Sequence, residues 1–314
     1  MQIAWAAPWL AEAARCNVRL GYDSGVNPKF PIVDAHQHFW DPRANYHPWL
    51  CDPAPIPFRY GDYAALRRPY LPADYFADAG EHAVVKTVYV ETEWDPRDPL
   101  GETAWVERLR RETGFPTVVV AQGWLDRDDA ASVLERQAAF PFVRGIRHKP
   151  LPGAMRDSRW RAGYALLGRF GLRFDLQAPW TELADAAALC RDFPHTQLVL
   201  NHAGLPADRS AEGVAGWRRA LDALAACPNA AIKISGIGVP GRRWTPDLNR
   251  AVVLSAIESF GAGRAMFASN FPVDGLCASF GEIYSGFREI VKAFSAPEQR
   301  ALFHDNATRI YAME

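Results

Sequence analysis

Two histidines one residue apart, His36 and His38, close the apolar run "PIVDAHQHFWDP" at residues 31–42. In a strand, residues i and i+2 project to the same face. Two neutral imidazoles placed that way can ligate one divalent cation, hydrogen-bond and polarise a substrate carbonyl, or simply cap a strand end. Other apolar runs also finish on groups with chemistry. Glu91 and Glu93 follow "VKTVYV", Trp124 follows "VVVAQG", and Arg147, His148 and Lys149 sit together in "RGIRHKP". Gln177 ends "FDLQ", His202 lies in "LVLNHAG", Lys233 and Ser235 in "IKIS", and Asn270 and Asp274 in "FASNFPVD". A core histidine normally appears singly, satisfied by one hydrogen bond, whereas four of the eight histidines here stand at the ends of apolar runs. His36, His38, His148 and His202 are therefore expected to bring their imidazoles into one pocket.

The elements that would position them repeat along the chain. Apolar, β-rich runs start at 31 and again over 83–94, 115–126, 142–150, 171–180, 196–206, 230–240 and 264–274. Amphipathic helix patterns such as 102–113, 185–193 and 216–227 lie between them. Eight strands alternating with helices point to a parallel sheet closed on itself, a (β/α)8 TIM barrel, whose chemistry sits at the carboxyl ends of the strands. An open doubly wound sheet would favour a glycine-rich phosphate loop after the first strand, and the sequence has no GxGxxG and no GxxxxGK[ST]. The reading is one barrel domain over 31–314, an N-terminal extension over 1–30, and a long proline-rich loop over 41–82 that can roof a pocket.

Composition bounds the partners. Thirty-five basic and 36 acidic residues leave a net charge of −1, which gives neither nucleic acid nor an anionic membrane a reason to bind. The five cysteines are scattered and form no CxxC, so a reducing cytoplasm is the expected setting. The first twenty residues lack the basic start and unbroken apolar stretch of a targeting signal. A small molecule is the expected partner. Trp40 and Trp124 offer flat faces to a cyclic ligand, Glu91 and Gln177 offer hydrogen bonds, and Arg59, Arg147, Lys149, Arg242 and Arg243 could bind a carboxylate or sugar hydroxyls. Strand alternation would turn Arg147 and Lys149, which flank His148, away from the lumen. Oligomeric state stays open, a homo-oligomer included.

The segments "VDAHQHFWDP", "RGIRH", "LVLNHAGLP", "IKISGI", "FASNFPVD" and "LFHDNATRIY", in that order from residue 31 to the end, resemble the amidohydrolase superfamily. More narrowly they are similar to its amidohydrolase-2 branch of sugar-acid lactonases and 2-pyrone-4,6-dicarboxylate lactonase. The resemblance implies a (β/α)8 barrel and hydrolysis at a carbonyl carbon. It gives catalytic roles to His36, His38, His148, His202 and the strand-eight position, where Asn270 replaces the usual aspartate base. It implies a lactone-opening hydrolase. A metal-dependent decarboxylase, an amide hydrolase, and a barrel that only binds a metabolite are the alternatives. With Gln177 and Asn270 at positions where relatives carry ligands, zinc would be weakly bound or absent, held by His36, His38 and His202. Asn cannot take a proton, so Asp274 is the expected base, with Glu91 and Glu93 next and an N-cap role for Asp274 as the competing explanation. Asn270→Asp is expected to be tolerated.

Overall fold

A computed structural model describes residues 30–313; the extension read over 1–30 lies outside the described residues except for its last position. Eight parallel strands follow one another around the sheet in chain order. They are β1 (Ile32–Gln37), β2 (Val84–Val90), β3 (Val118–Gln122), β4 (Val143–His148), β5 (Arg173–Leu176), β6 (Leu198–Leu200), β7 (Ala230–Ile234) and β8 (Ala265–Phe267). Helices such as Gly101–Thr113, Ser158–Arg169, Ala211–Ala225 and Pro246–Phe260 fill the crossovers. The ring closes through a bridge between Gln37 and Phe271, with His38 N donating to Phe271 O at 2.9 Å and Asn270 N to His36 O at 2.8 Å. This is the expected (β/α)8 barrel.

Two apolar layers hold it. Val33, Val88, Val90, Val118, Val120, Val199, Ala231, Met266 and Ala268 fill the lumen, while their strand neighbours such as Leu198, Leu200, Ile232 and Ile234 pack against the helices. Alternation along each strand produces both layers at once. At the amino end of the barrel, Ala307, Ile310, Tyr311 and Met313 join the inner layer and plug it. One ion pair crosses the middle of the lumen. Lys233 Nζ donates to Asp175 Oδ2 at 2.5 Å, Tyr311 Oη donates to both Asp175 oxygens, and Lys233 and Asp175 are both fully buried.

The segment between β1 and β2 is not extended throughout. It contains the short helix Pro48–Cys51, a 3-10 turn at Ala64–Leu66 and the helix Pro72–Ala79. Proline opens both helices, where its missing N–H and fixed φ cost nothing. Trp49, Ile56, Pro57, Phe58 and Arg59 of this strap cover the carboxyl mouth of the barrel, the roof expected of it.

Two buried carboxylates fix the frame beneath that roof. Asp34 stitches β1 to the end of β8: Oδ1 accepts from Ser269 N at 2.8 Å and Oδ2 from Ser269 Oγ at 2.5 Å and Tyr75 Oη at 2.7 Å. Removing it would leave three buried donors unsatisfied, each costing about 1–3 kcal/mol. Glu102, in the helix after β2, accepts from Tyr89 Oη, Thr92 N and Thr92 Oγ1 at 2.7 to 2.8 Å, all on Oε1. Its Oε2 is buried without a partner. Burial, reinforced by the nearby Glu91 charge, pushes the Glu102 carboxyl up to about 7.

Asp34→Ala should lower unfolding stability by about 3–5 kcal/mol in urea titrations; a loss under about 1 kcal/mol would show that the clasp does not hold the seam. For Glu102 the sign follows from the raised pKa. The folded state keeps a proton that the unfolded state has released, so its contribution is complete below the unfolded value of 4.5 and disappears as pH rises to about 7. Glu102→Gln should therefore gain about 1–3 kcal/mol relative to the parent between pH 4.5 and 8. Parallel urea curves at the two pH values would rule that out.

Candidate active site

The β1 ladder breaks register between Asp34 and Gln37. Past that break the Gln37 amide turns outward to Thr87 Oγ1 at 3.3 Å, while His36 and His38 both turn to the mouth of the lumen. Their Nε2 atoms are 3.2 Å apart. His202, just past β6, places its ring 4.5 Å from that of His36, tilted by 45°. The sharing of one face by the HxH pair, and its meeting with His202, agree with the sequence reading.

A hydrogen bond to a backbone carbonyl fixes the tautomer of His38. His38 Nδ1 donates to Val90 O at 2.7 Å, leaving a lone pair on Nε2. That lone pair faces Asn270 Oδ1 at 3.3 Å, an oxygen turned inward because Asn270 Nδ2 donates to Asp274 Oδ1 at 2.7 Å. An acceptor therefore points at an acceptor. A proton on His38 Nε2 would relieve this, but burial pushes the His38 pKa down to about 3. Burial, followed by the neighbouring Arg59 and Arg147, also holds His202 well below the usual histidine range, and its Nδ1 lies 3.0 Å from Ser235 Oγ. His36 is likewise kept neutral, first by burial, and its Nδ1 is buried without a partner.

Neutral imidazoles brought this close supply nitrogen donors of the type a cation site uses once His36 Nε2 gives up its hydrogen bond to His38. Two zinc–nitrogen bonds of about 2.0–2.1 Å at a tetrahedral angle would set the nitrogens roughly 3.3 Å apart, close to the 3.2 Å between His36 and His38. The set is lean, however: among the described residues no three His, Cys, Asp or Glu side chains form a cage that could hold a metal ion. The His36–His38 pair would supply two of the donors a divalent ion needs.

A cavity of about 250 Å³ lies above this floor. His38, His202, Asn270, Gln177, Arg147, Trp40 and Thr92 contribute to its lower walls. Arg147 points into the lumen, which corrects the expectation that alternation would turn it away. Its Nε donates to Glu91 Oε1 at 2.5 Å and its Nη1 to Gln177 Oε1 at 3.2 Å. Glu91, whose Oε2 accepts from Glu93 N at 2.7 Å, is locked in place by these bonds. Lys149 pairs with Glu93 on the wall. Trp40 is buried, its indole N–H bonded to Leu66 O and Arg68 O, and its ring stacks near His38.

Three expectations need correction. His148 does not join the other imidazoles: it faces the opposite side of β4 from Arg147, where its Nδ1 accepts from Trp160 Nε1 at 3.2 Å and Leu125 N at 3.3 Å. It lines a neighbouring hollow instead, together with Trp124 and Glu91. Asp274 is not an N-cap; the following helix is capped by Ser279, and Asp274 lies inside the 3-10 turn Val273–Leu276. Nor does it face the cavity. It sits behind Asn270 with its oxygens taken by Asn270, Tyr60 Oη at 2.9 Å and Gly236 N at 2.9 Å, and burial raises its pKa. Finally, Asn270→Asp would put a second carboxylate within hydrogen-bond distance of Asp274, so tolerance is not what this geometry supports.

Sequence reasoning missed Tyr60 and Gly236. No local pattern marks Tyr60, whereas the glycine in "ISGIG" carries a signal. Gly236 has φ of +59°, and a Cβ there would lie 2.6 Å from His202 Nδ1 and 2.8 Å from Arg59 Nη1. Backbone strain gathers at the same mouth: Glu93, His202, Ala203, Leu205 and Asn270 all have φ between 51° and 55° without being glycine.

Residues 33–313 match the amidohydrolase family. The uncharacterized protein y4mH of Sinorhizobium fredii is 39% identical over 292 residues, covering 89% of this chain and 98% of that protein. An L-fucono-1,5-lactonase of Burkholderia multivorans is 31% identical over 300 residues, covering 90% of this chain and 96% of that enzyme. The crystal structure of a Burkholderia multivorans amidohydrolase with bound zinc superposes with a TM-score of 0.75 at 29% identity, over 90% of this chain and all of that one. Fold, inward-facing histidines and a match that runs through every strand agree: this chain belongs to the amidohydrolase family.

Proposed function

We propose that this chain is a hydrolase that opens the ring of a small lactone by attack of water on the carbonyl carbon. The observation that carries the reading is the convergence of His36, His38, His202 and Asn270 beneath a cavity of about 250 Å³, small enough for a single ring. Similarity to a lactonase over nine-tenths of the chain supports the choice of ring ester among amidohydrolase reactions.

Each residue then has a task. Trp40 in the wall and Trp49 and Phe58 in the roof line the cavity and give a small ring apolar contact. Arg147 spends only some of its five N–H groups on Glu91 and Gln177, and those left over stabilise negative charge growing on the carbonyl oxygen. A divalent ion, if held between His36 and His38, would supply Lewis-acid polarisation of that carbonyl. The neutral imidazoles and Asn270 orient water through their lone pairs, but groups held so far below the usual histidine range are poor proton acceptors. Asp274 is screened by Asn270 and Glu91 is locked by Arg147. Glu93, beside Lys149, is the carboxylate that lines the cavity, so we assign it the proton taken from the attacking water and passed to the ring oxygen as the ring C–O bond breaks.

A panel of five- and six-membered lactones, followed by acid release before and after chelator treatment, tests the reading. At least one should be turned over, and Glu93→Gln should cost about 100-fold in kcat on it. No turnover on any ring, with or without added zinc, would refute it. A second measurement addresses the paired side chains at 270 and 274. Asn270→Asp alone should cost tenfold or more in kcat/KM, about the effect of two carboxylates sharing one site. The exchange Asn270→Asp with Asp274→Asn should recover most of that loss by restoring one donor facing one acceptor. Full activity in the single variant would show that the pair does not constrain the site.

A further inference from the structure

We propose that Arg59 anchors an anionic group on the substrate, so that the lactone taken by this site carries a carboxylate on its ring. The inference uses the hydrolase reading for the reaction and Arg59 alone for the charge.

Three cationic side chains line the cavity: Arg59, Arg147 and Lys149. Two of them are already paired with a carboxylate. Arg147 is buried against Glu91 and Gln177, and Lys149 is paired with Glu93. Arg59 is different. Its Nη1 is buried and makes no hydrogen bond. Its Nη2 is 3.9 Å from Asp274 Oδ1, too far for a hydrogen bond, and that carboxylate already accepts from Tyr60, Asn270 and Gly236. The guanidinium is held in place by the Tyr60 ring, 4.9 Å from its carbon. About a quarter of the side chain is exposed, and Arg59 lines the cavity.

A guanidinium N–H left unsatisfied in a partly dry site costs stability unless an acceptor arrives. A carboxylate is the acceptor whose geometry and charge fit it best. The position matters as much as the charge. Gly236 lets Arg59 and His202 pack against the same backbone atom, which any Cβ would crowd. An anion on Arg59 would therefore sit beside the imidazole floor, one ring away from the carbonyl under attack. Arg59 also comes from the strap rather than from a barrel strand, so the charge of the ligand is read by the roof while the reacting centre is held by the floor.

The test uses two matched 1,5-lactones, a neutral aldonolactone and the same ring with a carboxylate replacing its hydroxymethyl group. The parent protein should favour the carboxylated ring by tenfold or more in kcat/KM. Arg59→Met should lower kcat/KM for that ring by about 10- to 100-fold, chiefly through KM, the scale of a hydrogen bond between charged groups, and should collapse the discrimination. Arg59→Lys, which keeps charge but loses the fork, should fall between and serves if the methionine variant does not fold. A parent preference for the neutral ring, or an equal loss on both rings, would overturn the proposal and leave Arg59 a support for Asp274. If neither ring is hydrolysed, the reaction assignment fails alone, and calorimetric titration with malonate decides the anion site. Binding to the parent that is lost in Arg59→Met supports the proposal; equal binding or none overturns it.

Discussion

Closure of the barrel depends on one buried carboxylate. The strands β1 and β8 are joined by little backbone pairing, and Asp34 makes up for it by accepting from both the backbone and the hydroxyl of Ser269. Ser269 is the residue before Asn270, and Asp34 stands two before His36. The bond that closes the ring therefore also sets the distance between the imidazole pair and the amide. Tyr75 completes the carboxylate from outside the sheet, tying the helix after the strap to the same seam. A site assembled from opposite ends of the chain needs such a link, because the register of two short strand ends is otherwise weakly specified.

The charges within the lumen follow from the same constraint. A cation in a dry barrel is tolerated only with a partner at close range. Lys233 finds Asp175, Arg147 finds Glu91, and Lys149 finds Glu93. These pairs surround the imidazoles with fixed positive groups, which together with burial keep them neutral and leave their lone pairs available. Neutral nitrogen is what both a cation and a hydrogen-bonded water require. Charge in the walls thus determines what the floor can hold.

Much of this was legible in the sequence. All eight strands begin inside the apolar runs, and the shared face of His36 and His38 follows from strand periodicity even though a register break intervenes. What could not be read was which of two alternating neighbours faces in. Arg147 and His148 must point oppositely, but the choice is made by Glu91 on one side and Trp160 on the other, partners 56 and 12 residues away. The same holds for Asp274. Its local context suits a helix cap, yet Ser279 takes that role and Asp274 is drawn inward by Tyr60 and the Gly236 amide. Local pattern gives the periodicity, and distant hydrogen-bond partners give its phase.

Asn270, just past strand eight, stands where the resemblance implies an aspartate. In this chain the nearest carboxylate lies one layer deeper, four residues on, where Asp274 orients the amide that faces the imidazoles. From there it reaches the strap through Tyr60 and the positive end of Arg59. A carboxylate at 270 would point at the reacting centre and leave the strap without that contact. Placed at 274 it joins floor to roof, and the amide in front presents an oxygen without a charge. An uncharged amide cannot take a proton, so a proton acceptor must come from elsewhere on the wall. The gain is that the roof residue most suited to an anion is positioned by the same side chain that aims the floor.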